Sequence, residues 1–162
     1  MHAAAAYSGC GRYRYALWRR WGEGAQLLFV MLNPSTASET ANDPTIRRCI
    51  GFAREWGYAA LAVANLFAWR TPSPARLREA RGPVGGENDA WIGRLQADSA
   101  LTVAAWGNHG RLHGRGAAVR ALLRDPRVLG LTVAGAPRHP LYVRADTRPQ
   151  RWSPHLRRTA GG

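Results

Sequence analysis

Three short apolar runs, each halted by a polar residue or glycine, constrain this chain more than any other feature. Gln26-Leu27-Leu28-Phe29-Val30-Met31-Leu32 stops at Asn33, Ala60-Leu61-Ala62-Val63-Ala64 stops at Asn65, and Leu101-Thr102-Val103-Ala104-Ala105-Trp106 stops at Gly107. A strand with one wet face alternates apolar and polar residues. A run with little or no alternation must be buried on both faces, which is the situation of a parallel sheet covered by helices.

Helical patterns separate the runs. Asp43-Pro44 opens one helix, since Asp suits the cap position and Pro the first turn. Ile46, Cys49, Ile50, Ala53 and Trp56 then recur at helical spacing, with Arg47, Arg48, Arg54 and Glu55 on the other face and Gly57 as the stop. A short helix is predicted after Ser73-Pro74. Two more are predicted over 87–96, with Ala90, Trp91 and Leu95 inward, and over 113–124, with Ala117, Ala118, Ala121 and Leu122 apolar. Residues 11–21 begin with an alternation that suits a strand at a sheet edge, and Val128 to Thr132 make a last short strand. The order predicts a three-layer α/β/α sandwich around a mainly parallel central sheet. One domain over residues 1–143 would be followed by a basic tail, 144–162, with five arginines against Asp146. That tail reads equally as a mobile arm or a solvated end.

Charge points to the partner. The 162 residues hold 23 basic and 10 acidic side chains, a formal net charge of +13, and every basic residue is arginine. A GC-rich coding sequence explains arginine in place of lysine but not the excess of base over acid. An excess this large favours a polyanion, and nucleic acid is the usual one, with charge alone not separating DNA from RNA. Only two cysteines occur, Cys10 and Cys49, with no paired spacing, so no disulfide framework or cysteine-rich zinc site is expected. His109 and His113 sit four apart without a third ligand in view, and Gly110 interrupts them, so no metal is expected. No run approaches the ~20 apolar residues of a membrane span. The alanine-rich start, Met1 to Gly9, lacks the basic-then-apolar order of a signal peptide. The expectation is a cytoplasmic monomer with no cofactor.

Parallel sheets bind ligands beyond the carboxyl ends of their strands, where Asn33, Asn65, Trp106-Gly107 and His139 fall. Leu32-Asn33-Pro34-Ser35, Asn65-Leu66, Val103-Ala104-Ala105-Trp106-Gly107 and Arg138-His139-Pro140-Leu141 resemble, in order, four motifs of the uracil-DNA glycosylase superfamily. A closer resemblance, over nearly the whole chain, is to the bacterial and phage domain-of-unknown-function family 1643. It is carried by Asn33-Pro34-Ser35-Thr36-Ala37, Asp43-Pro44-Thr45-Ile46-Arg47-Arg48-Cys49, Asn65-Leu66-Phe67, Glu87-Asn88-Asp89 and Arg138-His139-Pro140-Leu141-Tyr142.

The superfamily resemblance implies a DNA glycosylase that hydrolyses the N-glycosidic bond of a damaged or modified pyrimidine. It implies that Asn33 orients the water, that Asn65 reads the pyrimidine edge, and that a neutral His139 donates to the carbonyl where charge accumulates. Asp43 is the nearest carboxylate and can assist. Pro34 and Ser35 would border the base, with Phe67 or Trp69 stacking on it. Arg47, Arg48, Arg70, Arg138 and Tyr142 are the candidate DNA contacts. The superfamily's first motif usually carries Asp and a bulky Tyr. Asn33 and the small Ser35 leave room at the pyrimidine 5-position, which suits 5-substituted uracils such as 5-hydroxymethyluracil.

Each residue also has a structural reading. Asn33-Pro34-Ser35 can be a turn, Asp43 a helix cap, Asn65 a strand end, Phe67 and Trp106 core. His139 can satisfy a loop carbonyl, Arg47 and Arg48 can form a solvated face, and Glu87 and Asp89 can be acids at a helix start. Two other functions fit the sequence: a non-catalytic nucleic-acid or nucleotide-binding module, and a hydrolase for free nucleosides or nucleotides.

Overall fold

Burial on both faces is what the apolar runs find in a computed structural model that describes residues 1–160. In chain order the first five strands are β1 (His2–Tyr7), β2 (Arg14–Arg20), β3 (Gln26–Met31), β4 (Ala60–Asn65) and β5 (Leu101–Ala104). Four short ones follow: β6 (Arg127–Val128), β7 (Leu131–Thr132), β8 (Gln150–Arg151) and β9 (Arg158–Thr159). The helices are α1 (Pro44–Glu55), α2 (Pro74–Glu79), α3 (Asn88–Ala97) and α4 (Arg115–Leu122). One sheet has the order β1-β2-β4-β3-β5-β6-β8, and β7 pairs with β9 beside it.

The fold is mixed α/β, and the expectation of a mainly parallel sheet needs correction. β3–β4, β3–β5 and β5–β6 are parallel, whereas β1–β2, β2–β4 and β6–β8 are antiparallel. The parallel strands form the centre and the antiparallel ones its flanks. β2 is not an edge strand either, because β1 lies outside it in register from His2 opposite Arg20. The run of four alanines in β1 has no strand propensity of its own. Pairing with the backbone of β2 makes it a strand.

Alternate residues of β3 enter two cores. Leu27, Phe29 and Met31 pack with Ile46, Cys49, Phe52 and Ala53 of α1. Leu28 and Val30 pack with Leu77 of α2, Ile92 and Leu95 of α3 and Val119 of α4. Helix α1 begins as its sequence requires: Asp43 Oδ1 accepts from Ile46 N at 2.9 Å, and Pro44 occupies the first turn. Helix α4 begins later than its pattern suggests, because His113 and Gly114 have φ of 54° and 65°, which a continuous helix cannot include.

The segment from Arg144 is stitched to the rest of the chain. β8 extends the sheet, β9 pairs with β7, and the Trp152 ring packs on Trp106 with centroids 5.6 Å apart. Residues 161–162 of the expected tail lie outside the described residues. Among the described residues no helix is long and apolar enough to cross a membrane.

Candidate functional site

The chain leaves β3 through α1 to reach β4 on one side, then crosses through α3 to β5 on the other. Loops leaving β3 and its two neighbours therefore diverge, and a crevice opens at their carboxyl ends. A cavity of about 420 Å³ occupies that crevice. Of the residues expected from sequence, Asn33, Ser35, Asp43, Asn65, His139 and Tyr142 line it, together with Trp106 and Gly107. Gly107 makes the turn after β5 with φ of 73°, a conformation that glycine adopts without strain.

Asn33 is held by its own amide. Nδ2 donates to Thr71 O at 2.8 Å, Pro34 O at 3.0 Å and, more weakly, Trp69 O at 3.4 Å. Three carbonyls around one end of the amide require the nitrogen there, so the side-chain oxygen is the end left over. Asn65 ends β4 and is only 1% exposed, yet its Nδ2 is buried without a hydrogen-bond partner among the described residues. An unpaired buried amide is unfavourable by about 1–3 kcal/mol, so the cavity wall is built as if a ligand atom completes it.

His139 and Asp43 stand on facing loops. The His139 Nδ1 accepts from Leu141 N at 3.1 Å, so the neutral ring carries its proton on Nε2. Burial lowers its pKa from the usual 6.5, and the nearby Asp43 carboxylate raises it less than burial lowers it. Both Asp43 oxygens accept backbone N–H bonds, Oδ1 from Ile46 and Oδ2 from Ala37 at 3.3 Å. The cap role of Asp43 is thus present, and its charge still faces the cavity.

Burial of His139 has a pH signature. Its folded pKa is depressed, so the neutral form persists down through pH 6.5 and is lost only below it. Any step that needs the neutral ring should stay flat across pH 6.5 and fall at lower pH. Stability carries the same sign: the His139 contribution is full above 6.5 and is lost as the pH falls through the lower folded value. A rate inflection at or above 6.5 in a single-turnover profile would count against His139 as the donor.

Other expected residues lie elsewhere. Phe67 is fully buried and meets His113 edge-on at 6.3 Å, so it is core and not a stacking platform. Pro34 is buried beside the cavity without lining it. Arg48 donates to Pro140 O at 3.1 Å and Val143 O at 2.6 Å, fastening the His139 turn to α1. Arg138 is buried and donates to the Thr159 and Ala160 carbonyls. Both are corrections: backbone carbonyls of the fold take up these two guanidinium groups, Arg138 buried and Arg48 half-buried, where phosphates were expected. Arg47 and Arg70 are exposed beside the cavity, and Tyr142 stands 61% exposed at its mouth.

Two residues escaped the sequence reading. Arg14 lines the cavity although it sits in an alternating strand far from every motif. Asn88, in a motif whose acids suggested only a helix start, donates from Nδ2 to the Asn65 and Leu66 carbonyls at 2.8 and 3.1 Å. Arg115, paired with Asp89, donates to the same Leu66 carbonyl at 2.8 Å. These groups fix the turn that presents Asn65. The Asn88→Ala variant should lose about 1–3 kcal/mol of stability, read from the shift in urea midpoint. An unchanged midpoint would show that the clamp contributes nothing.

A family model described as "Protein of unknown function (DUF1643)" matches residues 14–141. Every residue lining the cavity except Tyr142 falls in that span. No curated protein and no solved structure matches the chain.

Proposed function

The chain belongs to the DUF1643 family, and for it we propose a monofunctional DNA glycosylase acting on uracil or a 5-substituted uracil. One observation carries this reading: Asn65 Nδ2 is buried without a partner among the described residues, in a cavity that Asn33 and the neutral His139 also line. An amide offers one donor and one acceptor side by side, the complement of a uracil O4 and N3–H. The helices on both faces and the parallel centre are in keeping with a uracil-DNA-glycosylase-like sandwich.

Cleavage leaves negative charge on the base and positive charge on the sugar. His139 Nε2–H donates to the base carbonyl as its charge grows. Asn33 Oδ1 accepts from the attacking water and orients it, while the Asp43 carboxylate opposes the charge on the sugar. Ser35 leaves the 5-position open. The base must leave the stack to enter such a cavity. Exposed arginines border the adjoining grooves: Arg12 and Arg70 beyond Ser35, Arg47 beyond Leu141, and Arg111 beyond Asn108. These suit the flanking phosphates.

Water, not an amine, is the nucleophile. Bifunctional enzymes need an amine whose pKa the site can lower, and the chain has no lysine.

The test is a panel of single- and double-stranded oligonucleotides carrying uracil, 5-hydroxymethyluracil, hypoxanthine or mismatched thymine. Alkali-dependent cleavage at uracil or its 5-substituted form is expected, with no strand cut without alkali and no borohydride-trapped adduct. Affinity should fall steeply from low to physiological salt. Absence of base loss across the panel would refute the proposal, and a trapped adduct would refute its monofunctional form.

A second reading has one observation behind it. Arg48 and Arg138 are bonded to backbone carbonyls, which takes up two of the expected phosphate contacts and suits a hydrolase for free nucleosides or nucleotides. Salt-independent activity on those small molecules would favour it.

A further inference from the structure

Arg14 opens β2, which runs antiparallel to β4, so its first residue lies at the cavity end of the sheet. Its backbone N–H donates to Ala68 O at 2.9 Å, just past β4. The side chain is only 2% exposed and lines the cavity. Nη1 donates to Ala37 O at 2.8 Å, but Nε is buried with no partner among the described residues. Arg19 is buried as deeply and shows what a satisfied arginine looks like here. Its nitrogens meet Asn42 Oδ1 and the carbonyls of Trp18, Ser38 and Ala41.

No carboxylate forms an ion pair with Arg14 among the described residues. Among the described residues the ion pairs are Arg115–Asp89, Arg127–Asp125 and Arg144–Asp146. Asp43 is close enough to act on Arg14, but its two oxygens already accept backbone N–H bonds. Burial brings the Arg14 pKa down to about 10, which still leaves it charged at neutral pH. A buried, unpaired cation is strongly unfavourable, and an anion in the cavity relieves it.

We propose that Arg14 is the anion-binding group of this cavity and that the anion it takes is a deprotonated pyrimidine lactam, the base as it departs. The ligand class rests on the glycosylase reading. In the hydrolysis the bond from the sugar C1′ to the base N1 breaks, and its electron pair stays on the base. A water oxygen bonds to C1′, its proton passes to solvent, and the released base later takes a proton from water. Arg14 opposes the charge on that base alongside His139. Met31, Ile46, Val63 and Trp106 also line the cavity, and these apolar walls suit a flat ring better than a hydrated phosphate.

The test is equilibrium binding of free pyrimidines to the full chain by calorimetry at neutral pH. The series is uracil, the more acidic 5-fluorouracil, and barbiturate, which is an anion under these conditions; inorganic phosphate is the comparison. Affinity should rise along the series, with barbiturate bound about tenfold or more tighter than uracil, as a charge-assisted hydrogen bond implies. Arg14→Gln should bring barbiturate down to the level of uracil, and Arg14→Lys should keep part of the preference. Should Arg14→Gln fail to fold, the wild-type series decides alone.

Equal binding of uracil and barbiturate by the wild type would overturn the Arg14 assignment while leaving a pyrimidine pocket. Arg14-dependent phosphate binding with no pyrimidine bound would overturn both this assignment and the glycosylase reading. An Arg14-dependent preference for the anion, with no base released from any oligonucleotide, would support Arg14 and remove the glycosylase.

Discussion

Replacing Asn33 by alanine is expected to slow base release about 100-fold or more, the range seen when a group that handles the attacking water is lost. DNA affinity should change little, because the exposed arginines that border the adjoining grooves are untouched. Asn33 does two things. Its Nδ2 binds carbonyls of residues 34, 69 and 71 together, and in the proposed reaction its oxygen orients the water. Alanine removes both, so stability should also drop. Asn33→Asp separates the roles. One carboxylate oxygen still faces the cavity while the other meets carbonyl oxygens. That variant should be less stable than wild type but faster than Asn33→Ala. Single-turnover release and thermal melting report the two effects. A rate near wild type for Asn33→Ala would show that Asn33 only braces the loops.

Asn65→Asp is expected to change which base is accepted more than it changes folding. The buried Asn65 Nδ2 has no hydrogen-bond partner among the described residues. Its loss therefore removes no internal bond. For a uracil the change deletes the donor to O4, a loss of about 1–3 kcal/mol, or roughly tenfold to a hundredfold in release. Cytosine presents an exocyclic donor where uracil has O4, and a carboxylate accepts from it, so the ratio of cytosine to uracil release should rise. Release rates for both bases in the same strand provide the check. An unchanged ratio would make Asn65 a strand end and nothing more.

How much of this site is legible in the sequence follows from how local its causes are. Asn33, Asn65 and His139 are visible because each ends or follows an apolar segment, and a crevice opens at the carboxyl ends of the parallel strands. Asp43 reads as a cap and is one, since capping involves residues three apart. Arg14 is invisible, because its neighbours in sequence make an ordinary strand. It reaches the cavity only because that strand lies antiparallel beside β4. Phe67 follows Asn65 in a motif and looks like a site residue. It is core because the turn after β4 directs it away from the cavity.

By itself the sequence determined the central strands, their stopping points, the helices that cover them, the basic charge and the absence of a lysine nucleophile. Apolar side chains in a continuous run have no stable place except an interior, and that demand is written residue by residue. Tertiary structure alone decided the antiparallel flanks, the strand made of alanines, and which arginines are spread on the surface and which are enclosed. A guanidinium carries the same charge wherever it stands. Its role depends on which carbonyls fold against it, and for Arg48 the second of these lies 95 residues away, at Val143. Hydropathy is a property of neighbours in the chain, whereas the satisfaction of a polar group is a property of neighbours in space.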